Sequence, residues 1–271
     1  MQDFSALEVE LKDHVVTARL NRPQKANALD EVLWFELGDL ADWVDRTPEA
    51  RVLVLLANGK HFTAGIDFSL IMTLVGKVKE LPQGQRQFRL RQEILRLQAA
   101  FTRFETCLKP VIAAIDGACV GGGIDLITAC DIRFATADAT FCVKEVDLAI
   151  VADIGTLQRL PAIVGEGIAR DLALSGRTFG ADDALRMGLL SHVLPDRTSL
   201  ETHALEAARK LSTKSPLTLR GIKEVMNYSR GRSVQDGLEH VATWNASMLL
   251  SQDAEEAIAA MLQKRPAVYE D

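Results

Sequence analysis

Asp116-Gly117-Ala118-Cys119-Val120-Gly121-Gly122-Gly123-Ile124-Asp125 follows a short apolar run, Val111 to Ile115, and leads into helical spacing through about Cys130. Consecutive glycines between a strand and a helix let the backbone approach a neighbour closely. They also leave the first N–H groups of the helix free at the positive end of its dipole. Ile132 to Ala135 returns as a strand, and this alternation predicts an α/β fold with largely parallel strands. One such turn often serves only tight packing. A second stretch, Asn58-Gly59-Lys60-His61-Phe62-Thr63-Ala64-Gly65-Ile66-Asp67, follows another apolar run, Val52 to Leu56, which reads as a strand buried on both faces. Two turns of this kind can aim two N–H donors at one oxygen, as in an oxyanion hole. Neither is a standard nucleotide loop: no GK[ST] follows, and Gly117, Gly121 and Gly123 do not fit GxGxxG.

Residues 6–20 alternate apolar and polar with a turn at Lys12-Asp13, which predicts a β-hairpin. Asp30 to Asp45 carries Leu33, Leu37, Leu40 and Val44 on one helical stripe, with Asp30 placed as its N-cap. Val75 to Gln87 is polar and contains Pro82 and Gly84, which predicts a mobile loop. Gln92 to Cys107 is helical in pattern and is ended by Lys109-Pro110. From Gly165 onward nearly all spacing is helical, which predicts a second lobe or an oligomerisation element. Trp34, Trp43 and Trp244 fit helix packing. No internal repeat stands out.

The 271 residues carry a formal net charge of −6. There is no general attraction to nucleic acid or to an anionic membrane, so an anionic ligand must be held by local groups. Cys107, Cys119, Cys130 and Cys142 show no CxxC spacing and no companion histidine cluster, and read as small buried residues rather than zinc ligands or disulfides. Met1 to Glu10 is neither a signal nor a transit peptide in composition. No apolar run approaches the ~20 residues of a membrane span, and Val268-Tyr269-Glu270-Asp271 is not a peroxisomal address. A cytoplasmic protein is expected.

Asp125, Glu145 and Asp153 stand in apolar company. Any one of them is ordinarily a surface carboxylate, a salt-bridge partner or a cap, and Asp153 is placed to cap a helix starting near Gly155. Should the three converge in an apolar site, repulsion and poor solvation would raise some of their pKa values. A protonated acid would then stand beside an ionised base, a pair able to move protons on carbon. Sequence alone does not show convergence. His61 has no serine or cysteine nucleophile pattern beside it and reads as structural or, at most, adjacent to a ligand.

Asn21-Arg22-Pro23, Asn27-Ala28-Leu29, Ala64-Gly65-Ile66-Asp67, Gly121–Gly123, Gly155-Thr156-Leu157-Gln158-Arg159-Leu160-Pro161, Ser175-Gly176-Arg177 and Ala184 with Gly188-Leu189 occur in this order. As an ordered set across essentially the whole chain they resemble the enoyl-CoA hydratase/isomerase (crotonase) family. The resemblance implies an α/β crotonase-like spiral of repeated β-β-α turns over 1–195. A helical C-terminal trimerisation region over 196–271 would follow, with assembly as a homotrimer or a homohexamer built of two trimers. It further implies acyl-CoA thioester substrates, no metal or redox cofactor, and an oxyanion hole from the backbone N–H groups of Ile66 and Gly122. By motif position Lys25, Ala26, Ala64, Ile66, Asp67, Gly121 and Lys264 are the substrate- and CoA-binding positions. Lys25 and Lys264 equally suit solvated surface charge, although a basic side chain suits phosphate.

The acidic positions separate the branches of the family. Hydratases usually carry two glutamates 20 residues apart; here Asp125 and Glu145 stand at that spacing. Hydratases are glycine-rich where this chain has Val151-Ala152-Asp153-Ile154-Gly155. The set Asp125, Glu145 and Asp153 is similar to the Δ3,5-Δ2,4-dienoyl-CoA isomerase branch. That likeness implies conversion of a 3,5-dienoyl-CoA to the 2,4-dienoyl-CoA, with Glu145 removing a proton from C2, Asp153 returning one at C6, and Asp125 holding the polar network. Exchange of base and acid between Glu145 and Asp153 is left open. The alternatives are a hydratase or another enoyl-CoA isomerase on the same fold, and a non-catalytic CoA-binding or scaffold homologue.

Overall fold

The computed structural model describes residues 3–270. Met1, Gln2 and Asp271, at the ends of the two segments read for targeting signals, lie outside them. The chain opens with β1 (Leu7–Lys12) and β2 (Val15–Leu20), paired antiparallel. The hairpin turn is Asp13-His14, one residue later than expected, and both of its residues have positive φ (49° and 65°). Two left-handed residues match the twist of the flanking strands. Helix α1 (Glu31–Arg46) buries Leu33, Leu37, Leu40 and Val44, and the Asp30 carboxylate accepts from the Leu33 N–H at 2.9 Å. Strand β3 (Val52–Ala57) is buried throughout.

Val75 to Gln87 is not a loop. Helix α2 (Phe68–Val78) and helix α3 (Gln83–Thr106) occupy it, separated by four residues ending in Pro82. Proline interrupts only the junction, because a residue just before a helix needs no N–H. The polar composition reflects a solvated helical face and an ion cluster. Buried Glu93 lies 3.2 Å from Arg89, 3.1 Å from Arg96 and 3.5 Å from Lys77, which ties α2 to α3.

Two β-β-α turns follow. β4 (Val111–Ile115), β5 (Ala118–Val120) and α4 (Gly122–Ala129) form one. β6 (Ile132–Thr136), β7 (Thr140–Cys142), α5 (Thr156–Val164) and α6 (Glu166–Ser175) form the next. The first strand of each turn joins a six-stranded sheet of order β1-β2-β3-β4-β6-β9, and the second joins a small sheet of order β5-β7-β8. β8 (Phe179–Gly180), α7 (Ala181–Arg186) and β9 (His192–Leu194) complete both sheets. The spiral is a repeat of structure without a visible repeat of sequence, since each turn conserves only apolar strands and a break.

Alternate residues of β3 serve two cores. Leu53 and Leu55 face α1, α3 and α4, where Trp34 stacks on Phe101 with centroids 4.4 Å apart. Val52, Val54 and Leu56 join Ile112, Ala114 and Phe134 on the other face, under Leu200, Ala204 and Ala208 of α8 (Arg197–Ser212). The first helix beyond residue 195 is thus part of the core packing. α9 (Pro216–Ser229), α10 (Val234–Met248) and α11 (Gln252–Gln263) follow. Lys223 of α9 is buried and donates to Phe104 O (2.9 Å), Lys109 O (3.2 Å) and Asp131 Oδ2 (2.8 Å), fastening the helical region to the core. All four cysteines are buried. Among the described residues no helix is long and apolar enough to cross a membrane.

Candidate active site

The two glycine turns lie against each other. Thr63 forms a parallel bridge with Cys119: its N–H donates to Ala118 O at 3.0 Å, and Val120 N donates back to Thr63 O at 3.1 Å. A Cβ on Gly65 (φ +90°) would sit 2.8 Å from Val120 O, so only glycine permits this approach. Leu29 N donates to Gly65 O (2.8 Å) and Asp67 N to Leu29 O (3.0 Å). In a parallel bridge the intervening N–H, that of Ile66, points the other way. Gly121 adopts φ 51°, ψ −116°, open only to glycine, and Gly122 follows as the first residue of α4. Among the described residues nothing accepts from the Ile66 or Gly122 N–H. Two unspent donors therefore stand one residue beyond two touching glycines.

Residues that drew no role from the sequence brace this frame. Fully buried Asn27 accepts from Arg22 N and donates to Asn58 O and His61 O, each at 2.8 Å. Thr63 Oγ1 donates to Asn27 O (2.7 Å) and accepts from Gly65 N (3.1 Å). Arg22 reaches Asp30 (3.0 Å) and Asp67 (3.4 Å). An arginine and an asparagine shortly before a glycine turn were the available signal. Asp67 is engaged as the N-cap of α2 through Ser69 N at 2.9 Å, and this hydrogen bond holds its pKa down.

Asp125 of α4 is 1% exposed. Its Oδ1 accepts from both N and Oγ1 of Thr156, each at 2.7 Å, so it caps α5 from a neighbouring helix. Burial pushes its pKa up to about 7, against those hydrogen bonds and with help from the charges of Glu145 and Asp153. Glu145 is half-buried; its Oε1 lies 3.1 Å from where a Cβ on Gly121 would be, beside the free donors. Its Oε2 is buried with no hydrogen-bond partner, and burial, then the charge of Asp153, raises its pKa. Asp153, also half-buried, has its pKa raised by burial. It is not the cap of α5, whose N-cap is Gly155.

The charges of Glu145 and Asp153 reach Asp125, and that of Asp153 reaches Glu145. An open cleft of about 770 Å³ is lined by Val143, Glu145, Ile150, Ala152, Leu157 and Pro161 among others, while Asp125 and Asp153 are not in its wall. The Glu166–Arg170 pair, 2.6 Å apart, borders it. Ala26 is left-handed (φ 50°), and its carbonyl accepts from Ala64 N at 2.9 Å, so these positions belong to the same turn. Lys25 and Lys264 are exposed, and their side chains have no ion-pair or hydrogen-bond partner among the described residues. His61 is exposed; its Nδ1 lies 3.5 Å from Ala118 N. Among the described residues no group of three or more His, Cys, Asp and Glu is placed to hold a metal ion.

The family profile described as enoyl-CoA hydratase/isomerase matches residues 10–271. The chain is 44% identical over 269 residues to the peroxisomal Δ(3,5)-Δ(2,4)-dienoyl-CoA isomerase of Arabidopsis thaliana, covering 98% of this chain and 97% of that one. It is 42% identical to the mitochondrial Δ(3,5)-Δ(2,4)-dienoyl-CoA isomerase of Mus musculus, covering 97% of this chain and 81% of that one. An enoyl-CoA hydratase structure from Bacillus anthracis superposes with a TM-score of 0.88 at 30% identity, covering 98% of this chain and 99% of that one.

Proposed function

The chain belongs to the enoyl-CoA hydratase/isomerase family, and from that premise we propose that it isomerises 3,5-dienoyl-CoA to 2,4-dienoyl-CoA by moving one proton from C2 to C6. The observation that carries the chemistry is the Glu145 carboxylate within the field of Asp153: its Oε2 is buried without a partner, and its Oε1 lies against Gly121, one residue before a free backbone N–H. Glu145 removes the C2 proton. The electron pair spreads over the thioester oxygen and the conjugated chain, and the Ile66 and Gly122 N–H groups take up the charge on oxygen. Asp153, whose raised proton affinity keeps it a competent donor, protonates C6, and the double bonds settle at C2 and C4. Turnover leaves the proton on Glu145 and Asp153 bare, and a return of that proton resets the site. Asp125, spent on Thr156, holds the scaffold.

Occupation of Asp125 by two Thr156 hydrogen bonds also weighs against the hydratase reading, which needs a second carboxylate turned toward water. The test follows formation of the 2,4-dienoyl thioester chromophore from a 3,5-dienoyl-CoA, alongside hydration of crotonyl-CoA. Asp153→Asn is expected to slow isomerisation by ~10²–10⁴-fold; near-normal turnover would remove the acid role. The reaction calls for no metal or redox cofactor, so the rate is expected to be the same after exhaustive chelation.

Lys25 and Lys264, whose side chains have no partner among the described residues, are assigned to CoA phosphate. A homotrimer or homohexamer is assigned on the exposed apolar side chains Leu249 and Leu250 between α10 and α11, Met261 and Leu262 of α11, and Val151 and Leu174 beside the cleft, to be read from mass in solution. Residence in the cytoplasm is retained as a proposal for cell fractionation.

A further inference from the structure

No donor from a neighbouring residue hydrogen-bonds the Asp153 carboxyl among the described residues. Its aim is therefore set by its backbone, and that backbone is held residue by residue. Gln98 Nε2, from α3, donates to Asp153 O at 2.5 Å. Arg159, 8% exposed, donates to Ile154 O at 3.3 Å. Its Nη1 takes the space beside Gly155, where a Cβ would fall 1.7 Å from it, and Gly155 has a φ of +135°. Thr156 is fixed by Asp125 at 2.7 Å. Arg159 is anchored in turn: its Nε lies 2.8 Å from Glu105 Oε2, and its Nη2 3.2 Å from Thr102 Oγ1. Glu105 is clasped from α9 by Arg230 and by Asn227, whose Nδ2 donates to Glu105 O at 2.8 Å.

We propose that Gln98 and Arg159 are positioning residues for the proton donor, holding the 153–155 backbone so that the Asp153 carboxyl meets the far end of the diene. This rests on the acid role given to Asp153 above. Neither side chain touches the oxyanion turns or Glu145 by any hydrogen bond. Removing either therefore affects delivery at C6 and leaves abstraction at C2 in place.

The two half-reactions can be read separately. Exchange of the C2 hydrogen with deuterium from solvent reports Glu145 and the oxyanion donors; formation of the 2,4-diene requires C6 protonation as well. Gln98→Met keeps the length of the side chain and removes the donor. It is expected to lower kcat for isomerisation about 10- to 100-fold, as misplacement of a catalytic group by ~1 Å does, with KM nearly unchanged and C2 exchange within about twofold of wild type. Gln98→Lys restores a donor of similar reach and is expected to recover most of the loss. Arg159→Lys, which keeps the charge facing Glu105 but loses the planar fork, should show the same split. Wild-type kcat in Gln98→Met overturns the proposal. So does a parallel fall in exchange and isomerisation, which marks general distortion, and so does failure of Gln98→Lys to recover activity. Asp153→Asn is assayed beside them: normal turnover there strikes down the acid role itself, whereas a slow Asp153→Asn with a fast Gln98→Met strikes down only the positioning.

Discussion

Asp125→Asn separates the structural from the electrostatic effect of the deepest carboxylate. An asparagine oxygen can still accept from Thr156 N and Oγ1, so the tie to α5 survives. What disappears is a proton equilibrium. The folded-state pKa of Asp125 is about 7 against an ordinary 3.8, so between those values the folded protein holds a proton that the unfolded chain has released. Stability contributed by this group is present below the unfolded value and is lost as pH rises through the folded one. A shift of about three units corresponds to roughly 4 kcal/mol in total, of which roughly 2–3 kcal/mol falls between about pH 5 and about pH 8. Glu145 and Asp153, also raised, act in the same direction, but they are common to both proteins and largely cancel in the difference. Urea unfolding at the two pH values is the assay. Asp125→Asn should gain roughly 2–3 kcal/mol on wild type from the lower to the higher pH. A stability difference that does not vary with pH would refute the claim that burial holds a proton on Asp125.

Gly121→Ala forces a side chain into a glycine-only conformation with its Cβ 3.1 Å from Glu145 Oε1. Strain of roughly 1–3 kcal/mol and rotation of the Gly122 N–H are expected to lower kcat by up to ~10²–10³-fold, in steady-state kinetics on protein whose far-ultraviolet circular dichroism matches wild type. Lys223→Met leaves two carbonyls and the partly exposed Asp131 without their cation, and should cost roughly 1–3 kcal/mol, read as a lower urea midpoint.

The apolar strands, the Asp30-capped helix and both glycine turns were legible because each is a local pattern: a run, a period, a residue type that alone tolerates its backbone. Val75 to Gln87 misled because Pro82 and Gly84 carry the same local signal at a helix junction as in a loop, and the ion pairs around Glu93 that hold the two helices have no sequence signature. At the site, Asp125, Glu145 and Asp153 stood out by their apolar neighbours. The division of labour among them did not. That Asp125 spends its oxygen on Thr156, or that Gln98 reaches Asp153 O across 55 residues, depends on the packing of α3, α4 and α5, which no short window contains. The braces Asn27, Thr63 and Arg159 were missed for the same reason.

Helix α8 covers strands that leave the ribosome long before it does. Until Leu200, Ala204 and Ala208 are made, Val52, Val54, Leu56, Ile112 and Ala114 have nothing to rest against on that side. Closing contacts between such distant segments is slow, and the waiting oily face invites chaperones or self-association. Biogenesis of this chain is therefore governed by a helix far from the chemistry, and a product cut short before residue 197 would remain an open, adhesive sheet.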